Sequence, residues 1–185
     1  MNITIVNGIK DPRTDPRQMQ LELACVRLAG KHKIDLFTIA DMDINYCCGC
    51  FGCWVKNPGR CIYKDDMTGV LKSIVDADIF VVASPIDAGF ITAEAKKALD
   101  RVIPLVLPFI QGYDGECHHV PRYEKNADLG ILLLDGGDGI EDEAAEIMYE
   151  EFDRLARNFH AQKVMKACVD EKNLMEVLEN EIIGC

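Results

Sequence analysis

Short, continuous apolar runs alternate with helix-length amphipathic stretches along this chain, and that alternation admits few folds. Ile3-Thr4-Ile5-Val6, Lys33 to Ile39, Ile79 to Ala83, Leu129 to Leu134 and Lys163 to Val169 read as strands. Helical patterns begin near Asp15-Pro16, Asp65-Asp66, Thr92 and Glu141, with a last one over roughly Lys172 to Ile182. The first opens on Asp as N-cap, Pro at the first helical position and Gln at the third. Met19, Leu23, Val26 and Leu28 form its expected inward stripe. Asp65-Asp66 cap the second, which carries Val70, Leu71, Ile74 and Val75. Strands apolar on both faces and separated by helices form a parallel sheet covered on both sides. Five of them predict an α/β fold, a doubly wound parallel sheet of order 2-1-3-4-5 with helices on both faces.

That arrangement is flavodoxin-like, and its ligands sit outside the carboxyl ends of the strands. The loops after Val6, Ile39, Ala83 and Leu134 converge there. A chain of 185 residues suits one domain over 1–185, with a cysteine-rich loop at 46–62 and an insertion at about 110–127. A formal net charge of −11 argues against a nucleic-acid partner and suits docking to a basic protein. No apolar run approaches the ~20 residues of a membrane span. The run from Val102 to Ile110 is short and holds Pro104 and Pro108. The chain opens on Asn2-Ile3-Thr4 with no basic segment leading into an apolar one, so a cytoplasmic location is expected. Thiols stay reduced there, and nine cysteines then read as metal or redox sites rather than a disulfide framework.

Five of the nine fall within fifteen residues: Cys47, Cys48, Cys50, Cys53 and Cys61. Cys47, Cys50 and Cys53 recur at every third position, and Cys61 follows a Pro58-Gly59 turn. Thiolates crowded onto a glycine-interrupted loop suit an iron–sulfur cluster or a zinc ion, since each ligand must reach one small centre from its own direction. Reduced thiols without metal are the plain alternative. Cys48 falls outside the repeat and reads as a bystander. The loop follows the second strand, which puts it on the ligand-binding rim. Cys25 and Cys168 read as small buried hydrophobes, and Cys185 is terminal.

The spacing Cys47-x2-Cys50-x2-Cys53-x7-Cys61, followed by Lys64-Asp65-Asp66-Met67, resembles the iron–sulfur flavoprotein branch of the NADPH-dependent FMN reductase superfamily. Ala83-Ser84-Pro85-Ile86-Asp87-Ala88-Gly89 and Lys96-Lys97-Ala98-Leu99-Asp100-Arg101 are similar to that family's Ser-Pro-x-Tyr-x-Gly loop and the helix after it. The likeness runs through about the first 105 residues and is weaker at Gly136-Gly137. It implies a [4Fe–4S] cluster held by Cys47, Cys50, Cys53 and Cys61, passing electrons to FMN. It also implies an oxidoreductase of the NADPH-dependent FMN reductase kind, served by a redox partner protein or NAD(P)H and assembled as a homodimer or homotetramer.

The flavin loops depart from the family pattern. Where the family carries Gly-Asn-Thr in its first loop, this chain reads Asn7-Gly8-Ile9-Lys10-Asp11-Pro12-Arg13-Thr14-Asp15-Pro16-Arg17. Two prolines remove N–H donors, and Asp15 as N-cap competes with a phosphate for the helix terminus. Lys10, Arg13 and Arg17 bring positive charge and Thr14 a hydroxyl, so a charge-assisted phosphate site remains open. Asp87 replaces the aromatic of the second loop, while Gly89 permits close backbone approach. The expected flavin neighbours are Ser84, Pro85, Ile86, Asp87, Gly89 and the loop Asp135 to Gly139 with Gly136 and Gly137.

In the insertion, Cys117-His118-His119 is followed by Arg122 and Tyr123, a set that can bind zinc, move protons or sit in a surface loop at a subunit contact. The acidic run Glu141 to Glu151 reads as a solvated helix face, and no Ser/His/Asp or paired-carboxylate pattern points to hydrolysis. Three functions stand open: a cluster-bearing FMN electron-transfer protein, an NAD(P)H-dependent FMN or quinone reductase without a cluster, and a flavodoxin-fold binding protein that has lost FMN.

Overall fold

In the computed structural model, which describes residues 1–137, 139–170 and 172–182, the five expected strands pair side by side and in parallel. They are β1 (Asn2–Asn7), β2 (Lys33–Thr38), β3 (Ile79–Ser84), β8 (Asp128–Leu134) and β9 (Val164–Val169), in the order β2-β1-β3-β8-β9. That is the predicted order 2-1-3-4-5. The intervening elements are α1 (Pro16–Leu28), α2 (Gly52–Val55), α3 (Met67–Asp76), a small β4 (Ile86–Asp87) and β5 (Phe90–Ile91), and α4 (Ala93–Asp100). Strands β6 (Val106–Tyr113) and β7 (Glu116–Pro121) precede β8, α5 (Asp142–Phe159) follows it, and α6 (Leu174–Val177) follows β9.

The sheet separates two apolar layers. Ile3, Ile5, Ile79 and Val81 meet Leu21, Ala24, Leu28 and Leu174 from α1 and α6. Phe80, Val82, Ile131 and Leu133 meet Val70, Ile74, Ala95, Ala98, Met148 and Phe152 from α3, α4 and α5. Side chains alternate across a strand, so apolar character at every position is what burial on both faces demands.

Helix α1 begins where the sequence places it, with the Asp15 side chain accepting from the Arg17 amide. Its phase differs from the expected stripe. Gln18, Leu21, Ala24, Cys25 and Leu28 face the sheet, while Met19, Leu23 and Val26 are exposed. The cause lies at Gln18, whose amide oxygen takes a hydrogen bond from Asn7 Nδ2 inside the fold, with small Ala24 and Cys25 allowing close approach. Asp65 and Asp66 do not cap α3 through their side chains. Asp66 accepts from the Asp43 amide and Asp65 from the Asn45 amide, pinning the stretch that leads into the cysteine loop.

The insertion is an antiparallel β6–β7 hairpin rather than a loop, with Gly112 opposite Cys117 and Gln111 opposite His118. Cys168 is exposed on the edge strand β9, contrary to its reading as a buried hydrophobe. Cys25 is buried, and burial drives its thiol up to about 12, as expected of an inert core cysteine. Cys185 lies outside the described residues. Among the described residues, no helix is long and apolar enough to cross a membrane.

Candidate functional site

Two concave features hold most of the residues singled out from sequence. The first lies at the carboxyl ends of β1, β3 and β8, where Lys10, Asp11, Thr14, Asp15, Pro16 and Arg17 face Pro85, Ile86, Asp87, Thr92 and Gly136 across an open cleft. Of the predicted flavin residues, Lys10, Thr14, Arg17, Pro85, Ile86, Asp87 and Gly136 therefore line one space. Arg13 is exposed beside it. Gly89 sits with φ +80 in the turn of the β4–β5 hairpin, after Ala88 at φ +51. The Gly137 and Gly139 amides both donate to Asp135 Oδ1, which organises the third loop.

Ser84 lies under the cleft. It is fully buried, its hydroxyl donating to the Pro85 carbonyl at 2.7 Å and accepting from the Thr92 amide at 3.1 Å. Thr92 then donates to the Gly8 carbonyl and caps α4 through the Ala95 amide. Glycine is required at position 8, since a Cβ there would stand 2.6 Å from that of Ala95. These hydroxyls fix the loops relative to one another.

The first loop turns several of its amides on itself. Ile9 donates to Asn7 Oδ1, Thr14 and Asp15 donate to the Asp11 carbonyl, and Pro12 and Pro16 have no N–H. The amino end of α1, which ordinarily offers N–H groups to an anion, is taken by the Asp15 carboxylate. Oδ1 accepts from the Arg17 amide at 3.0 Å and from Arg17 Nε at 2.8 Å, and Oδ2 accepts from Nη2 at 2.6 Å. Hydrogen bonding from Arg17 outweighs burial and holds Asp15 below the usual carboxylate range. Arg17 Nη1 reaches the Leu134 carbonyl, so one cation ties the first loop to the third. Lys10 remains to meet an anionic ligand, while the Thr14 hydroxyl donates to the Asp11 carbonyl.

The second feature is built by the cysteine loop. A Gly49 at φ +63 and a Phe51 at φ +52 turn the chain on either side of Cys50, and α2 then carries Cys53 inward. The Gly59 amide donates to the Cys53 carbonyl, so the Pro58-Gly59 turn folds the chain back and delivers Cys61. Trp54 fastens the loop from outside, its Nε1 donating to the carbonyls of Ile103 and Val106. As a result Cys47, Cys50, Cys53 and Cys61 line a single small cavity, together with Cys48, Phe51, Ile62, Tyr63, Arg101, Ile103 and Pro104.

Burial first, and then the charges of Cys61, Cys50 and Cys47, push the Cys53 thiol up. These are the four cysteines of the x2-x2-x7 spacing. Cys48 answers instead to the Tyr63 hydroxyl and then to Cys50, which lower its pKa. The Gly52 amide points at Cys50 Sγ at 3.5 Å. Among the described residues, no three His, Cys, Asp or Glu side chains are already drawn together as ligands of a single metal ion. Four thiols around one otherwise apolar cavity, faced by one cation, are nevertheless a donor set suited to an anionic thiolate-bound group.

The cavity and the cleft share no lining residue. The loop leaves β2 at the rim but runs back along α4, so the cysteines gather near Arg101 at that helix's far end. Thr92 lines the cleft at its near end. Eight helical residues separate the two, about 12 Å.

Arg101, Asp65 and Asn45 beside the cysteines, and Thr92 and Asp11 beside the cleft, carry no sequence pattern that assigns them to a site. Lys96 to Arg101 was noted as a family-like run, but no local pattern announces that Arg101 is buried. Cys117, His118 and His119 do not converge on one point. His118 is buried against Glu116 at 2.9 Å, while the His119 ring lies 5.2 Å from that of Trp54.

A five-stranded, doubly wound α/β sheet with its cleft at the strand carboxyl ends and a cysteine loop after β2 defines the class. Within that class the chain belongs to the NADPH-dependent FMN reductase family, whose model matches residues 1–114. It is 35% identical over 75 residues to an iron–sulfur flavoprotein of Methanocaldococcus jannaschii, covering 40% of this chain and 38% of that one. It is 33% identical over 72 residues to an iron–sulfur flavoprotein of Archaeoglobus fulgidus, covering 39% and 32%. These stretches span well under two thirds of the relatives' own length. Among solved structures, an NAD(P)H:quinone oxidoreductase from Methanothermobacter marburgensis superposes with a TM-score of 0.66 at 15% identity, covering 98% of this chain and 92% of that one. That last likeness is one of fold.

Proposed function

We propose that this chain is a single-domain flavin oxidoreductase of the iron–sulfur flavoprotein type, holding FMN in the rim cleft and a [4Fe–4S] cluster on Cys47, Cys50, Cys53 and Cys61. The observation that carries this reading is the convergence of those four thiols on one cavity. Family membership and the names of the curated relatives support it. Bound in these places, the flavin supplies one- and two-electron transfer and the cluster one-electron transfer. The chain's own residues do the rest. Lys10 faces the cleft as the cation placed to meet the FMN phosphate, Thr14 can offer its hydroxyl by turning it from the Asp11 carbonyl, Arg13 adds exposed positive charge beside them, and Gly89 lets backbone approach a ring. Helix α4 joins cleft and cavity, giving electrons a short path through packed protein. NAD(P)H or a redox protein with a basic face is the donor this reading calls for, given the net charge of −11.

One observation favours a different reading, a flavodoxin-fold binding protein without FMN. The anion position at the head of α1 is filled by Asp15. Protein purified without oxygen separates these readings. The leading one calls for about four iron and four acid-labile sulfide per chain, with stoichiometric FMN in the supernatant after heating. FMN without iron identifies a cluster-free NAD(P)H-dependent FMN or quinone reductase. Absence of both leaves the binding protein.

A further inference from the structure

Arg101 closes α4 and is 1% exposed, the largest fully buried side chain among the described residues. A buried guanidinium is costly unless compensated. Asp65 supplies most of the compensation, accepting from Nη1 at 2.8 Å and from Nη2 at 2.9 Å, with the Asn45 carbonyl taking a further bond from Nη1. The Tyr63 ring lies 5.2 Å away. Nε is buried with no hydrogen-bond partner among the described residues. The same side chain lines the cavity of Cys47, Cys50, Cys53 and Cys61. A guanidinium keeps its charge inside a protein, so the cavity wall holds a permanent cation.

The clamp on Asp65 and Asn45 leaves one donor of this cavity-lining side chain, Nε, unused among the described residues. We infer that Arg101, oriented by Asp65, is a positioning residue of the cysteine site: a fixed positive charge in the cavity wall that sets the reduction potential of the group the four thiolates hold. The inference rests on the reading of those cysteines as cluster ligands. Reduction adds one electron and one negative charge to that group, and no bond forms or breaks. A cation held in a low-dielectric wall favours the more negative state, so Arg101 raises the potential. Asp65 moderates that effect by carrying the opposite charge.

The test is a dithionite titration of anaerobically purified, cluster-loaded protein, followed by electron paramagnetic resonance, with iron and sulfide counted in each sample. Arg101→Met should move the cluster midpoint to more negative potential, and Arg101→Lys should restore most of the shift. Asp65→Asn should move it the other way. A purely structural clamp predicts lower thermal stability with an unmoved midpoint in whatever cluster remains. An unmoved midpoint in Arg101→Met, or a negative shift in Asp65→Asn, overturns the inference and leaves the cluster reading intact. Failure of both variants to carry a cluster while they unfold at the wild-type temperature also overturns it, in favour of a clamp needed for assembly. Wild-type protein free of iron overturns the cluster reading itself, and the inference with it.

Discussion

At the scale of single residues, two ion pairs hold the account together, and both pair an arginine with an aspartate. Asp65 is the more consequential because both partners are buried, their side chains 3% and 2% exposed. Burial alone would raise its pKa, but hydrogen bonds from Arg101 and Asn45 hold it well below the ordinary carboxylate range. The folded-state pKa is depressed, so the pair's stabilisation is present above the unfolded value of about 3.9 and is lost as pH falls further. Asp65→Asn should cost about 3–5 kcal/mol at pH 7 because it strands Arg101, and the cost should shrink in acid. Urea unfolding at pH 7 and near pH 3 checks both statements; equal losses at the two pH values contradict them. Asp15 makes the opposite demand. Its carboxylate occupies the head of α1 and engages Arg17, so a flavin phosphate meets a resident negative charge. Asp15→Asn keeps a capping side chain and frees the guanidinium. It should tighten FMN binding by roughly 5- to 30-fold, as about 1–2 kcal/mol of charge-assisted bonding implies. Fluorescence titration of apoprotein with FMN reads this directly, and unchanged affinity would place the phosphate elsewhere.

At the scale of elements, the strands were legible and the faces of helices less so. Continuous apolar runs leave a strand little choice, and all five appear with bounds close to those expected. Helix α1 was read out of phase because an inward stripe was sought among large apolar residues. The fold instead buries Gln18 and two small side chains and leaves Met19 and Val26 outside. Hydrogen bonding to Asn7 decided that, and Asn7 sits on β1, outside the helix. The β6–β7 hairpin was hidden for a related reason. Pro104 and Pro108 break the apolar run, and the sign of a hairpin lies in its Asp114-Gly115 turn, positive in φ at both residues. Beside its contacts with α5, one attachment is Trp54, which stacks on Phe51 at 5.2 Å and donates to Ile103 and Val106. Trp54→Phe preserves the stacking and removes the donor. A stability loss of about 1–2 kcal/mol is expected, with faster amide exchange in the hairpin than in the central strands. Uniform acceleration across the sheet would show that Trp54 supports the whole fold instead.

At the scale of the molecule, the topology places two sites at opposite ends of one helix. The x2-x2-x7 spacing was enough to pick out four cysteines that end up around one cavity, because a short loop with a Pro-Gly turn has few ways to close. What the spacing did not carry was the wall of that cavity. Asp65 and Arg101 are 36 positions apart, and only the packing of α4 against the loop brings them together. The cleft is the reverse case, since most of its lining was named from sequence and its internal neutralisation was not.

The central claim is that four particular thiols, and not simply a cysteine-rich surface, bind the cluster. It is tested most directly by counting iron and acid-labile sulfide in anaerobically purified Cys48→Ser and Cys53→Ser proteins. Both residues line the cavity, but only Cys53 answers to the other three ligands. The account predicts about four iron and four sulfide in Cys48→Ser, as in the wild type, and loss of intact cluster in Cys53→Ser with FMN retained. Full iron in Cys53→Ser, or none in Cys48→Ser, would contradict it.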